Sequence, residues 1–149
     1  MIRRKRNLSI NPMQVSMNSF LIVGLGGGMG AMSRYGISVL ANHLSVLPFI
    51  STLFVNTFGC FLMGAIFQLI NIIIPDGSNE LLVEQNRLFF AVGFCGSFTT
   101  LSAVVMETKQ MLDINQYIQS FIYLFGTMFG GIIFFFLGVF FISYLLHSH

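Results

Sequence analysis

Four apolar runs, each long enough to cross a bilayer, occupy most of this chain. A spanning α-helix needs about 20 mainly apolar residues, and we predict such helices at about 20–41, 50–74, 88–107 and 116–146. Only 8% of the residues are charged, whereas a soluble domain carries roughly 25%. The sequence therefore predicts an all-α membrane protein with four transmembrane helices.

The polar segments divide the chain into three parts. We assign residues 1–18 to a basic polar segment, 19–146 to a four-helix transmembrane domain and 147–149 to a tail. A polar connector at about 76–86 separates the second and third predicted helices. These divisions leave no room for a soluble domain within the chain.

The cationic residues are distributed unequally between the two predicted sides. Four helices place both ends and the 76–86 connector on one side, which holds five cationic residues: Arg3, Arg4, Lys5, Arg6 and Arg87. The other side has only Arg34 and Lys109. Since cytoplasmic loops carry an excess of Lys and Arg, both termini are predicted to be cytoplasmic in the cell membrane. Arg34, within the first helix, would cost about 2.5–3.5 kcal/mol at depth, so it either reaches the interface or faces a polar partner.

No arrangement typical of an enzyme or a nucleic-acid-binding protein is visible. Cys60 and Cys95 lie inside apolar runs without a CxxC spacing, and they are predicted to be small buried residues. The glycine-rich run 24–30 superficially resembles a nucleotide-binding loop, but it lies within a predicted membrane helix instead of following a strand. The sequence therefore predicts neither catalysis nor nucleic-acid binding.

The run Gly93–Ser102 places small and hydroxyl-bearing residues in the middle of the third helix. Glycine tolerates unusual dihedral angles, and Ser or Thr hydroxyls can satisfy backbone groups where a membrane helix opens. Carbonyl groups released at such a break can coordinate an ion. Close packing of two helices explains the same composition, so the residues alone leave both interpretations open.

Polar residues recur at helical spacing on the second and fourth helices. Thr52 and Asn56 share one face of the second helix. An amide in hydrocarbon is costly unless it is hydrogen-bonded, so Asn56 either joins two helices or lines a pore. Tyr123, Thr127 and Gly131 form a similar stripe on the fourth helix, which indicates either a wet path or a hydrogen-bonded helix contact.

Three blocks resemble the Fluc/CrcB family of small dimeric fluoride channels. They are Gly27–Ala31 with Ser33–Tyr35 in the first helix, Thr52–Gly59 in the second and Gly93–Thr100 in the third. Three blocks in the correct order on four helices are far more specific than any one block. The resemblance covers essentially the whole membrane region.

The resemblance implies an antiparallel dimer in which the third helix is broken at mid-membrane. It also implies a structural sodium ion at the dimer centre, held by the backbone carbonyls of Gly96 and Thr99, and narrow pores that conduct fluoride. The residues assigned to the fluoride path are Arg34, Thr52, Asn56, Phe98, Ser102, Tyr123 and Thr127. Among them, Asn56 matches a pore-lining amide, Tyr123 and Thr127 match a polar track, and Arg34 matches a vestibule arginine.

Leu101 and Val104 depart from the family pattern, which usually has two pore-lining phenylalanines at these positions. Together with the charge bias, this departure predicts one half of a heterodimer whose oppositely oriented homologue supplies the phenylalanines. The expected function is a fluoride-specific channel subunit that exports fluoride passively across the cytoplasmic membrane. One alternative is a non-conducting assembly subunit. A weaker one is a small multidrug-type proton-coupled exporter, which needs a carboxylate at membrane depth, whereas Glu107 is predicted near a helix end.

Overall fold

A computed structural model of the chain describes residues 17–73 and 80–147. Every residue in these ranges lies in a helix or in a short connection between helices. The all-α architecture predicted from the sequence is therefore confirmed. The basic cluster at residues 3–6 and the turn at 74–79 lie outside the described residues.

Three helices are continuous, and the third membrane segment is composite. The continuous helices are α1 (Met17–His43), α2 (Pro48–Ile73) and α6 (Tyr117–His147). The third segment consists of α3 (Glu80–Asn86), a π-helical stretch (Arg87–Cys95), α4 (Gly96–Phe98) and α5 (Leu101–Asp113). We call residues 80–98 its first half and residues 101–113 its second half.

The predicted connector at 76–86 is wrong over its last seven residues. Helix α3 already begins at Glu80 and continues directly into the membrane segment. Its sequence, ELLVEQN, is rich in residues with high intrinsic helix propensity. The polar residues of the connector therefore did not mark where the helix begins.

Three helical stretches in the described residues are long and apolar enough to cross a membrane. They span 48–73, 82–113 and 117–147. Helix α1 is also long, with 27 residues, but its glycines and Arg34 lower its apolar character, and it is not among the three. The first predicted span, at about 20–41, is thus present as a helix, although its composition is less typical of a membrane-spanning segment.

Helix α1 packs against the first half of the third segment through backbone contact. A Cβ atom at Gly26 would collide with the Phe89 carbonyl, and one at Gly30 with the Phe94 carbonyl. Small residues permit such close approach between membrane helices. Gly24 and Gly28, in contrast, face open space. A regular helix turns by about 100° per residue, so consecutive glycines cannot all face one neighbour.

Helices α2 and α6 approach each other in the same way. Added Cβ atoms at Gly64 and Gly138 would overlap the backbone of the opposite helix. The Gln68 Nε2 also donates a hydrogen bond to the Ser143 Oγ, at 2.9 Å.

Candidate functional site

The third segment is broken at Thr99 and Thr100. Both residues are extended, with φ, ψ of −78°, 156° and −150°, 114°, whereas Gly96 stays helical at −62°, −32°. Helix α5 restarts with Thr100 as its N-cap, because the Thr100 hydroxyl accepts a hydrogen bond from the Ala103 N–H at 3.2 Å. The predicted break is confirmed, and within the stretch 93–102 it lies at the threonine pair.

Asn56 on α2 fixes the geometry of this break. Its Oδ1 accepts a hydrogen bond from the Thr100 N–H at 2.7 Å, and its Nδ2 donates one to the Thr100 carbonyl at 3.1 Å. The side chain is only 7% exposed. The amide thus pairs with one residue of extended backbone and satisfies both of its polar groups. The amide nitrogen carries two hydrogens, and one of them is not used in these two hydrogen bonds.

The break leaves two helix ends facing each other with opposite polarity. In a continuous helix the Thr100 N–H would bond to the Gly96 carbonyl, but here it bonds to Asn56. The Ser97 carbonyl accepts a hydrogen bond from the Arg34 Nε at 3.3 Å. A half-helix C-terminus with released carbonyls suits a cation, and the N-terminus of α5 suits an anion.

Backbone oxygens are the ligands that a cation would find at this point. In the part of the chain that the structure describes, no three His, Cys, Asp or Glu side chains come together. Gly96 is exposed, and its carbonyl has lost its helical donor. Its surroundings fit the carbonyl coordination expected for sodium better than a side-chain metal site.

An open cavity of about 460 Å³ lies beside the break, between α2, α5 and α6. Its wall includes five sequence-predicted positions: Asn56, Thr99, Leu101, Val104 and Thr127. The Leu101 side chain is 68% exposed and Val104 only 1%. The wall of the cavity therefore combines polar groups with the aliphatic side chains of Leu101 and Val104.

A buried carboxylate on α5 joins two further predicted residues. Glu107 is 7% exposed, and it accepts hydrogen bonds from the Thr52 hydroxyl at 2.8 Å and the Tyr123 hydroxyl at 2.5 Å. The expectation that Glu107 lies near a helix end is wrong, because α5 continues to Asp113. We call these three residues the Glu107 cluster.

The sequence analysis did not predict the role of Glu107, although the spacing of Glu107 from Val104 and Met111 indicated a buried position. Val104, Glu107 and Met111 are the buried residues of α5, and their spacing of three and four places them on one helix face. A carboxylate on the buried face of a membrane helix needs donors from neighbouring helices. Thr52 and Tyr123 are those donors.

Thr127, Phe98 and Ser102 make contacts within their own segments. The Thr127 hydroxyl donates to the Tyr123 carbonyl at 2.7 Å. Phe98 is buried, with its ring stacked on Phe94 at 5.7 Å between ring centres. Ser102 is exposed, and its hydroxyl lies 3.0 Å from that of Thr100. The structure thus brings Asn56 and Thr127 together in the cavity, and Thr52 and Tyr123 in the Glu107 cluster.

Comparison with known proteins gives one consistent result. Residues 21–139 match the family model described as CrcB-like protein, Camphor Resistance (CrcB). A Chlorobium phaeobacteroides protein called fluoride-specific ion channel FluC is 36% identical over 84% of this chain and 92% of its own length. Proteins of the same name from Prosthecochloris aestuarii (36%; 85% and 94% covered) and Thermus thermophilus (37%; 82% and 93% covered) are similarly related.

Proposed function

Because the chain belongs to the CrcB-like protein family, we propose that it is one subunit of a fluoride-specific ion channel. The relatives named above carry that function in their names. The observation that carries the proposal is the cavity beside the broken helix, where Asn56, Thr100 and Thr127 share one wall. A passive pore of this kind would export fluoride across the cytoplasmic membrane down its gradient.

The proposed fluoride path follows the polar side chains from the cavity to the Glu107 cluster. Fluoride must exchange its hydration shell for hydrogen bonds inside the membrane. The second Nδ2 hydrogen of Asn56 and the Ser102 hydroxyl supply donors near the break, where the N-terminus of α5 adds a favourable dipole. Arg34, Thr52, Phe98, Tyr123 and Thr127 complete the proposed path. The Glu107 carboxylate lies beyond Asn56 and binds the Thr52 and Tyr123 hydroxyls.

We further propose a structural sodium ion held by the carbonyls of Gly96 and Thr99 from two subunits. The ion supplies a fixed positive charge that offsets the desolvation of a nearby anion. Since a ligand that binds only the folded state stabilises it, sodium should raise the thermal unfolding midpoint of the purified dimer. An equal midpoint when sodium is replaced by N-methylglucamine at the same ionic strength would contradict this site.

The partner in the proposal is an oppositely oriented homologue, and both termini of this chain are cytoplasmic. Leu101 and Val104 present no aromatic edge to an anion, whereas phenylalanine at these positions would offer the positive rim of its ring. The open side of the cavity, where Leu101 is largely exposed, leaves room for aromatic side chains from a second subunit. In the heterodimer, the partner thus supplies the positive ring edges that this chain lacks.

Fluoride efflux from liposomes tests the partner requirement directly. Three preparations are compared: this chain alone, the homologous partner alone, and both together. Fast efflux only from the combined preparation is expected. Fast efflux from this chain alone would refute the requirement for a partner, while leaving the fluoride-channel proposal standing.

Two alternatives have specific observations in their favour. The aliphatic Leu101 and Val104 favour a non-conducting assembly subunit, which predicts no fluoride efflux with any partner but normal complex formation. The buried Glu107 supplies the carboxylate that a proton-coupled exporter needs, although two hydroxyl donors already occupy it. Uptake of a cationic dye driven by a pH gradient in the same liposomes would favour the exporter.

A further inference from the structure

A groove runs between the last turns of α2 and the first half of the third segment. One part of it, of about 290 Å³, is lined by Ile66, Leu69, Ile70, Ile73, Asn86 and Phe90. An adjoining part of about 190 Å³ shares Ile66 and Ile70 and reaches Asn71 and Arg87. Neither part includes a residue of the proposed fluoride path.

The groove has a gradient of polarity along its length. Its polar members, Asn71, Asn86 and Arg87, lie near the end of α2 and the beginning of the third segment, where the chain leaves the apolar region. The rest of its wall is apolar and includes Ile66 and Phe90. An amphiphile with one polar end and one extended apolar chain matches this gradient.

Arg87 gives the polar end of the groove a positive charge. The Arg87 side chain is exposed. The ion pair found among the described residues is between Lys109 and Asp113, so it does not involve Arg87. The Asn86 amide nitrogen donates to the Leu82 carbonyl at 2.8 Å, and Asn86 lines the groove beside Phe90. A guanidinium is suited to bidentate binding of a phosphate.

We propose that this groove binds an anionic phospholipid, with its phosphate at Arg87 and one acyl chain along Ile66, Ile70 and Phe90. Basic pockets between membrane helices are physically suited to lipid headgroups of this kind. The lipid fills the gap between α2 and the first half of the third segment, at the end away from the break. This inference does not depend on fluoride conduction.

Native mass spectrometry of the purified full-length protein, or of its complex with the partner, tests the proposal. The detergent-solubilised protein is mixed with palmitoyl-oleoyl phosphatidylglycerol or with the matching phosphatidylcholine, and retained lipid is counted per subunit. We expect preferential retention of phosphatidylglycerol. Arg87→Gln should reduce this preference about fivefold, while Arg87→Lys keeps most of it.

Two further variants separate charge from groove shape. Lys109→Gln removes the same charge at the far end of the segment and should leave the preference unchanged. Ile70→Trp narrows the apolar part and should lower retention of both lipids alike. Equal retention of the two lipids by wild type, an unchanged preference in Arg87→Gln, or the same loss in Lys109→Gln would each overturn the proposal. So would competition by free glycerol phosphate at the lipid's own concentration, which would point to a site for the headgroup alone.

Discussion

The two halves of the third segment are held in place by different forces. The first half contacts α1 backbone to backbone through Gly26 and Gly30. The second half is held by hydrogen bonds between Asn56 on α2 and Thr100, its N-cap residue, and by those that Glu107 accepts from Thr52 and Tyr123. The first half is therefore held mainly by close backbone packing, and the second half mainly by polar side-chain contacts.

Because of this difference, substitutions in the two halves should have different effects on stability and on ion flux. Removing close packing should weaken folding wherever it occurs, whereas removing a polar contact near the cavity should also change ion flux. Each of the following substitutions tests one half of the comparison. They are ordered by the expected loss in free energy of unfolding.

Asn56→Leu should have the largest effect, because it leaves the N–H and carbonyl of Thr100 unpaired inside the membrane. Each buried unsatisfied group costs about 1–3 kcal/mol. We expect a lower thermal unfolding midpoint in detergent and loss of fluoride efflux. Asn71→Leu, at an exposed asparagine of the same helix, is the matched control. Equal behaviour of the two variants would mean that Asn56 does not hold the break.

Gly30→Ala should come next, since the added methyl group would meet the Phe94 backbone. Overpacking of this kind costs about 1–3 kcal/mol. Its control is Gly28→Ala, where a Cβ atom meets nothing within 4 Å and the higher helix propensity of alanine applies equally. Thermal unfolding should distinguish them clearly. If both shift the midpoint alike, α1 does not pack on the first half as described.

Thr52→Val removes one donor from Glu107 while keeping the side-chain shape. A typical hydrogen bond contributes about 0.5–1.5 kcal/mol, so the loss of stability should be modest, with reduced fluoride efflux. Thr57→Val is the matched control, because the Thr57 hydroxyl bonds only to carbonyls of its own helix, at 2.8 and 3.2 Å. Unchanged efflux in Thr52→Val would place the Glu107 cluster outside the path.

Leu101→Phe should affect folding least, because the Leu101 side chain is already 68% exposed. Its effect should appear as a gain in fluoride efflux by this chain without a partner, provided that an antiparallel homodimer forms. Val104→Phe introduces a ring at a position that is 1% exposed and should be less stable. No gain from Leu101→Phe in a properly assembled dimer would show that the missing ring does not limit flux.

The sequence placed the break within residues 93–102 but did not single out the residues that form it. Glycine and hydroxyl residues between Gly93 and Ser102 indicated an opening anywhere in this stretch. The structure opens at Thr99 and Thr100 because Asn56, 44 positions away along the chain, binds the Thr100 backbone. Such a long-range competitor leaves no trace in local propensity.

Two other features of the third segment were also not predicted from the sequence. The π-helical stretch Arg87–Cys95 has no sequence signature that we could identify. Glu107 looked like a helix-end residue because it is charged, yet the buried spacing of Val104 and Met111 on the same face pointed the other way. The topology, the polar stripes and Asn56 were accessible from sequence because they follow helical periodicity.

Release of fluoride and of chloride from liposomes that contain the assembled complex tests the central claim most directly. The account predicts that wild-type complex releases fluoride rapidly and retains chloride, and that the Asn56→Leu complex, still assembled by size-exclusion chromatography, releases neither. Release of both anions at similar rates, or of fluoride at the rate of protein-free liposomes, would contradict it.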